Sequence, residues 1–239
     1  MSHEPNDAVQ SLIRAVRNRV EMEMGFGMND LPLFEKAEKT GETRADASPS
    51  ERAKALAQLE AELQACCKCG LGETRTNLVF GVGNPDADLM FIGEAPGHDE
   101  DMQGEPFVGR AGQLLTKIIE AIGMKREDVY IANILKCRPP NNRAPLPTEM
   151  VMCMPYLRKQ IRLIQPKIIV ALGGTAVQGL LKTTDGITKL RGTFTEFDGI
   201  KLMPTFHPAY LLRNPGGKRQ VWEDMKRVRD TLKDMQKKT

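Results

Sequence analysis

The sequence predicts an α/β fold, a three-layer α/β/α sandwich around a mostly parallel four-stranded sheet. Three continuous apolar runs have the character of buried parallel strands, and they occupy 88–93, 128–135 and 167–173. Helical patterns separate these runs, and such alternation favours helices on both faces of one sheet. Residues 193–206 are predicted to form a hairpin, because Asp198-Gly199 is a good two-residue turn.

The helices are predicted from the spacing of apolar residues. Those that alternate with the strands occupy 110–123, 148–164 and 174–182, and a basic amphipathic helix occupies 218–237. A further helix is expected to begin near Ser50, a plausible N-cap, and to run into Cys66. A short amphipathic helix is expected within 8–22.

The chain divides by composition into an extension at 1–60 and a domain at 61–239. The stretch KTGETRADASPSER is polar and has no periodicity, so it is interpreted as a linker. Residues 1–64 hold 12 acidic and 8 basic side chains. We expect this extension to be dispensable for the activity of the domain.

Length and composition exclude some classes of protein. The chain has 239 residues and is 41% hydrophobic, enough for a substantial core. No run of about 18 apolar residues occurs, so a transmembrane span is not expected. The N-terminal stretch MSHEPNDAVQ is polar and acidic, unlike a signal peptide. The sequence therefore predicts a cytoplasmic protein without membrane contact.

Positive charge is concentrated at the C-terminal end. Residues 201–239 hold 10 basic and 4 acidic side chains. A polyanion such as DNA would bind such a face, and a solvated basic helix would have the same composition. Charge alone does not decide between them.

The chain has five cysteines: Cys66, Cys67, Cys69, Cys137 and Cys153. The number of cysteines is odd and the chain has no secretion signal, so its thiols are expected to stay reduced and not to form disulfides. A C-x2-C pair with two later cysteines suits tetrahedral zinc or a [4Fe–4S] cluster, and buried structural thiols are the alternative. We leave Cys67 out of the predicted set of four ligands, although a set that uses Cys67 with Cys69 stays open.

Three unusual segments follow predicted strands: GEAPGHDED, NILKCRPPNNRAP and TFHPAYLLRNPGGKR. Ligands of such sheets bind beyond the carboxyl ends of the strands, so these segments predict a single site. Asn133 could read a base edge with its donor and acceptor, or serve as a cap. His207 could donate a hydrogen bond to a developing anion, or hold a loop.

Together these segments resemble the family 4, thermostable-type uracil-DNA glycosylases of bacteria and archaea. The resemblance covers about 61–235. The motifs that carry it are Cys66-x2-Cys69, the stretch 70–115 from GLGETRTNLVFG to GRAGQLL, VYIANILKCRPPNNRAPLP, Cys153, ITKLRG and HPAYLLRNP. It implies that the chain excises uracil from DNA and leaves an abasic site.

The resemblance implies a cofactor and a base pocket. Cys66, Cys69, Cys137 and Cys153 would bind a [4Fe–4S] cluster with a structural role, since base excision transfers no electrons. In the pocket, Phe107 would stack on uracil and Asn133 would bond its Watson–Crick edge, and the backbone around Ala95 and Gly97 would contact a pyrimidine carbonyl.

The resemblance also assigns the chemistry. His207 would point at O2 of uracil, and Glu100 would crowd C5 and exclude the methyl group of thymine. Glu94 is our choice for stabilising the sugar cation or positioning water, with Glu100 and Asp101 as alternatives, because Ala95 stands where related enzymes often have an aspartate. The segment 138–147 contains no histidine, so no covalent bond to the sugar is expected.

DNA would be contacted from two sides of the pocket. Leu211, Leu212, Arg213 and Asn214 resemble a wedge that enters the duplex. Lys218 and Arg219 would hold phosphates beside the wedge, and Arg138 and Arg143 would hold them on the other side. The expected partner is uracil-containing DNA, single- or double-stranded, and the expected state is a monomer.

Two other classes of function stay open from the sequence. A non-catalytic iron–sulfur module would bind uracil-containing DNA without cutting it. A zinc-dependent hydrolase would use the cysteines for catalysis, but the chain has only three histidines, the ligands that open zinc sites prefer.

Overall fold

The computed structural model describes residues 48–237. The predicted helix within 8–22 and the first part of the predicted linker, residues 39–47, lie outside this range, and the rest of that linker forms the start of a helix. The α-helices are α1 (Pro49–Gln64), α2 (His98–Gln103), α3 (Arg110–Ala121), α4 (Pro147–Ile164), α5 (Gly174–Leu181), α6 (Ile187–Leu190), α7 (Pro208–Arg213) and α8 (Lys218–Gln236). The strands are β1 (Val82–Gly83), β2 (Leu89–Gly93), β3 (Tyr130–Asn133), β4 (Ile168–Leu172), β5 (Thr195–Phe197) and β6 (Ile200–Thr205). Single 3-10 turns lie at Leu71–Glu73, Arg126–Asp128, Pro140–Asn142 and Pro215–Gly217.

The six strands form one sheet in the order β1-β3-β2-β4-β6-β5. The four inner strands are parallel, and the edge strands β1 and β5 pair antiparallel with their neighbours. The predicted count of four strands is therefore wrong, although four strands do form the parallel centre. The edge strand β5 lies in the predicted hairpin 193–206, whereas β1 escaped the sequence pattern because it has only two residues.

Alternate residues of the central strands feed two separate apolar clusters. Met90 and Ile92 of β2 face the cluster that contains leucines of α1 and α4, whereas Leu89 and Phe91 face the cluster that contains residues of α3 and α8. This alternation follows from the period of two along a strand. The predicted three-layer α/β/α sandwich is confirmed.

Helix α1 belongs to the folded domain. Its residues Leu56, Leu59 and Leu63 are buried in the core, and Arg52 pairs with Asp86 beside β2. The boundary predicted at residue 60 therefore falls inside a helix, which is a correction. The chain divides instead into units Met1–Thr43 and Arg44–Thr239.

The start of α1 also differs from the prediction. Its N-cap is Ser48, not Ser50. The Ser48 hydroxyl accepts the backbone N–H of Glu51, whose carboxylate accepts the N–H of Ser48. This reciprocal capping box satisfies two otherwise unpaired donors.

The parallel strands align their carboxyl ends at one edge of the sheet. Gly93 pairs in register with Asn133 on one side, and Leu172 with Thr205 on the other. The segments that follow these strands therefore emerge next to one another, as predicted. Among the described residues, no helix has the length and hydropathy that a membrane crossing requires.

Candidate functional site

Gly93 and Asn133 form the floor of a pocket at the carboxyl edge. A Cβ added to Gly93 would collide with Asn133 Oδ1 and come within 2.6 Å of Phe107 Cζ, so only glycine fits there. Asn133 is 2% exposed, and its Oδ1 accepts no hydrogen bond from the described residues. A buried acceptor without a partner is costly in a folded protein, so this atom is suited to a ligand. We call the site formed by Gly93, Phe107, Asn133 and His207 the Asn133 pocket.

Phe107 lies on the loop between α2 and α3 in a left-handed conformation, with φ 56°. An aromatic residue rarely adopts this conformation, so the surrounding chain must hold it. Arg126 donates to the carbonyl of the preceding residue, Pro106, at 2.5 Å. A Cβ on Gly112 of α3 would collide with the Phe107 carbonyl. The loop is thus fixed from both sides.

The Glu100 carboxylate fixes the same loop from within. It accepts the backbone N–H groups of Gly97, Val108 and Gly109 at 3.0–3.1 Å. Both oxygens are therefore used for loop structure. This contact also changes one expectation: the N–H of Gly97, which we expected near a pyrimidine carbonyl, is already bonded to Glu100.

His207 forms the opposite side of the pocket, with its ring centroid 5.5 Å from that of Phe107. It is the N-cap of α7, and its Nδ1 accepts the N–H of Ala209 at 3.1 Å. Accepting at Nδ1 requires the tautomer that carries hydrogen on Nε2. Burial, reinforced by Arg213, lowers the pKa of His207 to about 4. The ring is therefore neutral at pH 7 and offers one N–H donor.

The β2–α2 loop brings the predicted carboxylate to the same place. Glu94 directly follows Gly93 and is partly buried, as is Ala95. The Glu94 carbonyl accepts the N–H of Leu135 at 3.1 Å, which continues the pairing of the strands beyond Asn133. The backbone of Glu94 is therefore held beside the pocket floor.

Asp101, an alternative carboxylate, is buried elsewhere. It accepts the N–H of Thr76 at 2.9 Å, and its carbonyl accepts Asn77 Nδ2 at 2.8 Å. These bonds join α2 to the segment that follows the C-x2-C pair. Its position favours a structural role and leaves Glu94 as the better candidate for chemistry.

The segment before His207 is held by a buried network. Asp224 of α8 accepts the Thr205 hydroxyl at 2.6 Å and forms a two-point ion pair with Arg191. The Arg191 guanidinium lies 5.4 Å from the centre of the Phe206 ring. Sequence reasoning missed Asp224, although an aspartate on the apolar face of a predicted helix was a visible signal.

The predicted wedge needs a correction. Leu211 is 1% exposed and packs in the core, because its position on α7 faces the sheet. Leu212, the next residue, is 39% exposed, and so is Tyr210. If α7 inserts an apolar side chain into a duplex, these two residues are placed to do so.

The four polar residues predicted on this side are exposed: Arg213, Asn214, Lys218 and Arg219. Asn214 donates back to the Tyr210 carbonyl at 3.3 Å, which closes the end of α7. Lys218 and Arg219 open helix α8. The structure therefore places a basic surface within one short turn of the His207 helix.

The arginines predicted on the other side have intramolecular partners. Arg143 forms a two-point ion pair with the buried Glu149, which lowers the pKa of that carboxyl. Arg138 donates to Asn142 Oδ1 at 2.7 Å and lies 3.1 Å from His98 Nδ1. Contact with a phosphate would have to share or replace these bonds.

The second candidate site is a small cavity between α1, α4 and the chain after β3. Its lining includes four cysteines: Cys66, Cys69, Cys137 and Cys153. Cys67 is absent from the lining and exposed. We call this site the cysteine cavity. It gathers the four cysteines of the expected register and leaves out the fifth.

Burial keeps the deepest thiols of this cavity protonated. It raises the pKa of Cys153 to about 11, and it raises that of Cys137 despite a hydrogen bond from Arg75. A buried thiol becomes a thiolate readily only when a cation stabilises it. Within residues 48–237, no three His, Cys, Asp or Glu side chains converge on a position for a single metal ion.

Two cations of the cavity wall were missed by sequence reasoning. Arg75 Nη1 donates to Cys137 Sγ at 3.1 Å. Lys136 lines the cavity although it is 1% exposed, and burial lowers its pKa to about 8. A lysine inside the apolar run before Cys137 was the signal in the sequence.

Comparisons with known proteins agree with this geometry. The family model described as "Uracil DNA glycosylase superfamily" matches residues 80–226. A type-4 uracil-DNA glycosylase of Thermotoga maritima is 49% identical over 175 residues, 70% of this chain and 90% of the relative. One from Archaeoglobus fulgidus is 45% identical over 175 residues (70% and 88%), and one from Saccharolobus solfataricus is 47% identical over 180 residues (72% and 83%).

Proposed function

The chain belongs to the uracil-DNA glycosylase superfamily and, within it, to the type-4 uracil-DNA glycosylases, and we propose that it hydrolyses the N-glycosidic bond of uracil in DNA. The products are free uracil and an abasic site, the first step of base excision repair. The observation that carries this proposal is the unpaired Oδ1 of Asn133 over the bare backbone of Gly93.

The pocket matches the hydrogen-bonding edge of uracil. Asn133 Oδ1 can accept the N3–H of uracil, and its Nδ2 can donate to O4. The absence of a side chain at Gly93 leaves Asn133 Oδ1 uncovered on that side, and the Phe107 ring supplies a stacking surface. A site that hydrogen-bonds a base edge rejects a base that leaves its polar groups unpaired far more strongly than a purely apolar pocket does.

Exclusion of thymine requires a different device. One methyl group rejected by weak contact alone is worth only about 1–3 kcal/mol, so a rigid wall is needed. We propose that Glu100 supplies that rigidity. Its three hydrogen bonds fix the loop on which Phe107 is mounted, and that loop resists displacement by the C5 methyl group.

His207 acts on the leaving group. The N1–C1′ bond breaks with its electron pair moving to the base, so negative charge grows on uracil, including O2. A neutral His207 can donate its Nε2 hydrogen to O2 without giving up the Nδ1 bond that caps α7. Loss of one such preorganised donor typically costs about 2.7–4 kcal/mol of transition-state stabilisation.

Glu94 acts on the sugar. Departure of uracil leaves an oxocarbenium-like cation at C1′, and the negative carboxylate of Glu94 would stabilise it. The same carboxylate would then orient a water molecule for attack at C1′ and take up its proton. No covalent bond to the protein is needed in this dissociative course.

The base must leave the duplex before it reaches the pocket. Extrusion costs a few kcal/mol, and less when the base is mismatched or already in a single strand. We propose that Leu212 and Tyr210 fill the gap while Arg213, Asn214, Lys218 and Arg219 hold the backbone. Arg138 would assist from the other side, and Arg143 would assist only by exchanging its bond to Glu149.

The cysteine cavity would hold the [4Fe–4S] cluster expected for a type-4 enzyme. The fit rests on the chemistry of its lining, which brings together the four thiols of Cys66, Cys69, Cys137 and Cys153. When bound, the cluster would cross-link the C-x2-C segment, the chain after β3 and helix α4. No electron transfer is part of the excision reaction. We further propose a monomer in the cytoplasm of a bacterium or archaeon, as its relatives' sources suggest.

One assay separates this proposal from a non-catalytic binding module. The protein is incubated with a labelled duplex that contains one uracil, and alkali then cleaves the strand at any abasic site. Strand cleavage that is absent from the matched thymine duplex is the expected result. Tight binding without cleavage would support the binding module instead. Iron content with broad visible absorbance would dismiss the zinc hydrolase.

A further inference from the structure

Lys136 connects the two candidate sites. Its Nζ donates to the backbone carbonyl of Asn133 at 2.8 Å, and its side chain lines the cysteine cavity. It is buried to 1% exposure. A single buried residue thus lines the cysteine cavity and, through its ammonium group, holds the backbone of the residue that forms the pocket floor.

The ammonium group has no carboxylate partner. No Asp or Glu within residues 48–237 forms an ion pair with Lys136, and its ionisable neighbours are the thiols of Cys153 and Cys137. A buried cation is stable only when a nearby negative charge balances it. Neutral thiols do not provide that charge, whereas thiolates that bind an iron–sulfur cluster do.

Arg75 repeats the arrangement from the other wall. Its Nη1 donates to Cys137 Sγ, and its Nη2 donates to the carbonyl of Leu63 at 3.2 Å. A four-thiolate iron–sulfur cluster with its ligands carries a net negative charge, and charge and hydrogen bonds around it set its reduction potential. Two cations built into the cavity wall match such an occupant.

We propose that Lys136 is a positioning residue that couples the cofactor to the base pocket. The negative charge of the thiolate-bound cluster holds the Lys136 ammonium group in place, and this group fixes the Asn133 carbonyl and with it the amide that reads uracil. A cofactor remote from the reaction would thereby set the geometry of recognition. This inference rests on the proposed function and on the proposed occupant of the cysteine cavity.

The test compares Lys136→Met with Lys68→Met in the iron-loaded enzyme. Lys68 also lines the cavity but is exposed, so solvent screens its charge. Removal of the buried positive charge should shift the reduction equilibrium of the cluster toward the oxidised form by about tenfold, or 59 mV for one electron. Bleaching by a chelator should become at least about tenfold faster in the same variant. Lys68→Met should change both quantities much less.

The effect of Lys136 on the base pocket is measured as the inhibition of excision by free uracil. Free uracil binds the pocket alone, so this inhibition does not depend on contacts between the protein and DNA. Lys136→Met should weaken this inhibition about tenfold, whereas Lys136→Arg should restore the reduction equilibrium and only part of the inhibition. If Lys136→Met matches the wild type in all three measurements, the inference is wrong. A wild-type protein that holds no iron would instead contradict the proposed cofactor.

A measurement on the unmodified side chain covers the case in which Lys136→Met does not fold. With 15N-labelled lysine, one ammonium resonance should be protected from exchange with water and should shift when the cluster is reduced. Lys136→Arg identifies that resonance by its disappearance. Absence of any protected, cluster-sensitive lysine signal in the iron-loaded wild type would overturn the proposal.

Discussion

The Asn133 pocket and the cysteine cavity apply the same physics to different partners. In both, burial disfavours charge: it lowers the pKa of His207 to about 4 and raises that of Cys153 to about 11. The pocket leaves one buried acceptor, Asn133 Oδ1, without a hydrogen-bond partner among the described residues, and the cavity collects four cysteines that form no disulfide. The two sites differ in the kind of ligand that they are suited to bind. The pocket is suited to a ligand that comes and goes, and the cavity to one that stays.

This difference predicts which site the fold depends on. The cavity lies where α1, α4 and the chain after β3 meet inside one apolar cluster, so a group bound there would cross-link three parts of the core. The pocket lies at the carboxyl edge of the sheet, and its surroundings are held by hydrogen bonds of Glu100, Arg126 and Asp224. Changes in the cavity should therefore cost stability, and changes in the pocket should cost rate.

The largest effect is expected from Cys153→Ser. Loss of one thiolate ligand should remove the visible absorbance and most of the soluble protein, because metal binding contributes directly to the stability of the fold. Cys67→Ser is the matched control, since Cys67 is exposed and outside the cavity lining. Iron per chain and soluble yield measure both. A bleached Cys67→Ser with an intact Cys66→Ser would show that the register is wrong.

The next effect concerns the N-terminal boundary. A chain that begins at Ala61 lacks Leu56 and Leu59, whose truncation to alanine would each cost about 2–5 kcal/mol. It also lacks Arg52, the partner of Asp86. We expect it to be destabilised by about 4 kcal/mol or more in urea unfolding, whereas a chain that begins at Ser48 should retain its stability and activity. Equal stability of the two would mean that α1 is only an appendage.

Helices α1 and α7 show which features of the fold could not be predicted from the local sequence. The central strands and the paired turn at Asp198-Gly199 follow from local patterns, and the structure confirms them. The role of α1 depends on distant contacts with α4, which no local pattern encodes. Leu211 and Leu212 are adjacent and chemically identical, so only the orientation of α7 decides which one is buried.

The site residues divide in the same way. The spacing of the cysteines favoured a set without Cys67, and the four other cysteines line one cavity; their role as ligands stays a prediction. Lys136 was missed because a lysine in an apolar run has no predictable partner until the sulfurs of Cys137 and Cys153 are placed around it. Glu100 was assigned to the base, yet backbone N–H groups from two segments converge on its carboxylate.

A smaller effect, on rate alone, is expected at His207. His207→Asn should lower the single-turnover rate by roughly 10²–10³, the usual result of losing one preorganised donor. Asparagine is a good N-cap, so α7 should keep its capping bond. His207→Ala should lose the same rate and about 1 kcal/mol of stability in addition. If either variant loses DNA affinity but keeps its rate, the assignment of the pocket is wrong.

Changes in the basic surface beside α7 should alter DNA affinity and its dependence on salt, and should leave the rate of excision unchanged. Each phosphate contact contributes about −0.9 to the slope of log K against log salt on duplex DNA. Lys218→Gln should therefore weaken binding and flatten the slope by about 0.9, with little change in the rate at saturating DNA. Lys125→Gln is the control, because Lys125 precedes β3 and so lies at the amino edge of the sheet. Equal salt slopes for the two variants would show that Lys218 does not contact phosphate.

The smallest effect is expected from pH, which should barely change the contribution of His207 to the rate of excision. The pKa of His207 is about 4 in the folded protein and about 6.5 in the unfolded chain. The unfolded state therefore takes up the proton first as pH falls, so this group favours folding fully above pH 6.5 and loses that contribution as pH falls toward 4. Because the ring stays neutral in the folded protein, the ratio of wild-type to His207→Asn rates should be constant between about pH 5 and pH 8. If this ratio instead falls as pH rises, with a midpoint near about pH 6.5, His207 is a cation in the pocket. Protonation of Nδ1 would also break its bond from Ala209, so a cationic His207 would have to leave the cap that holds it.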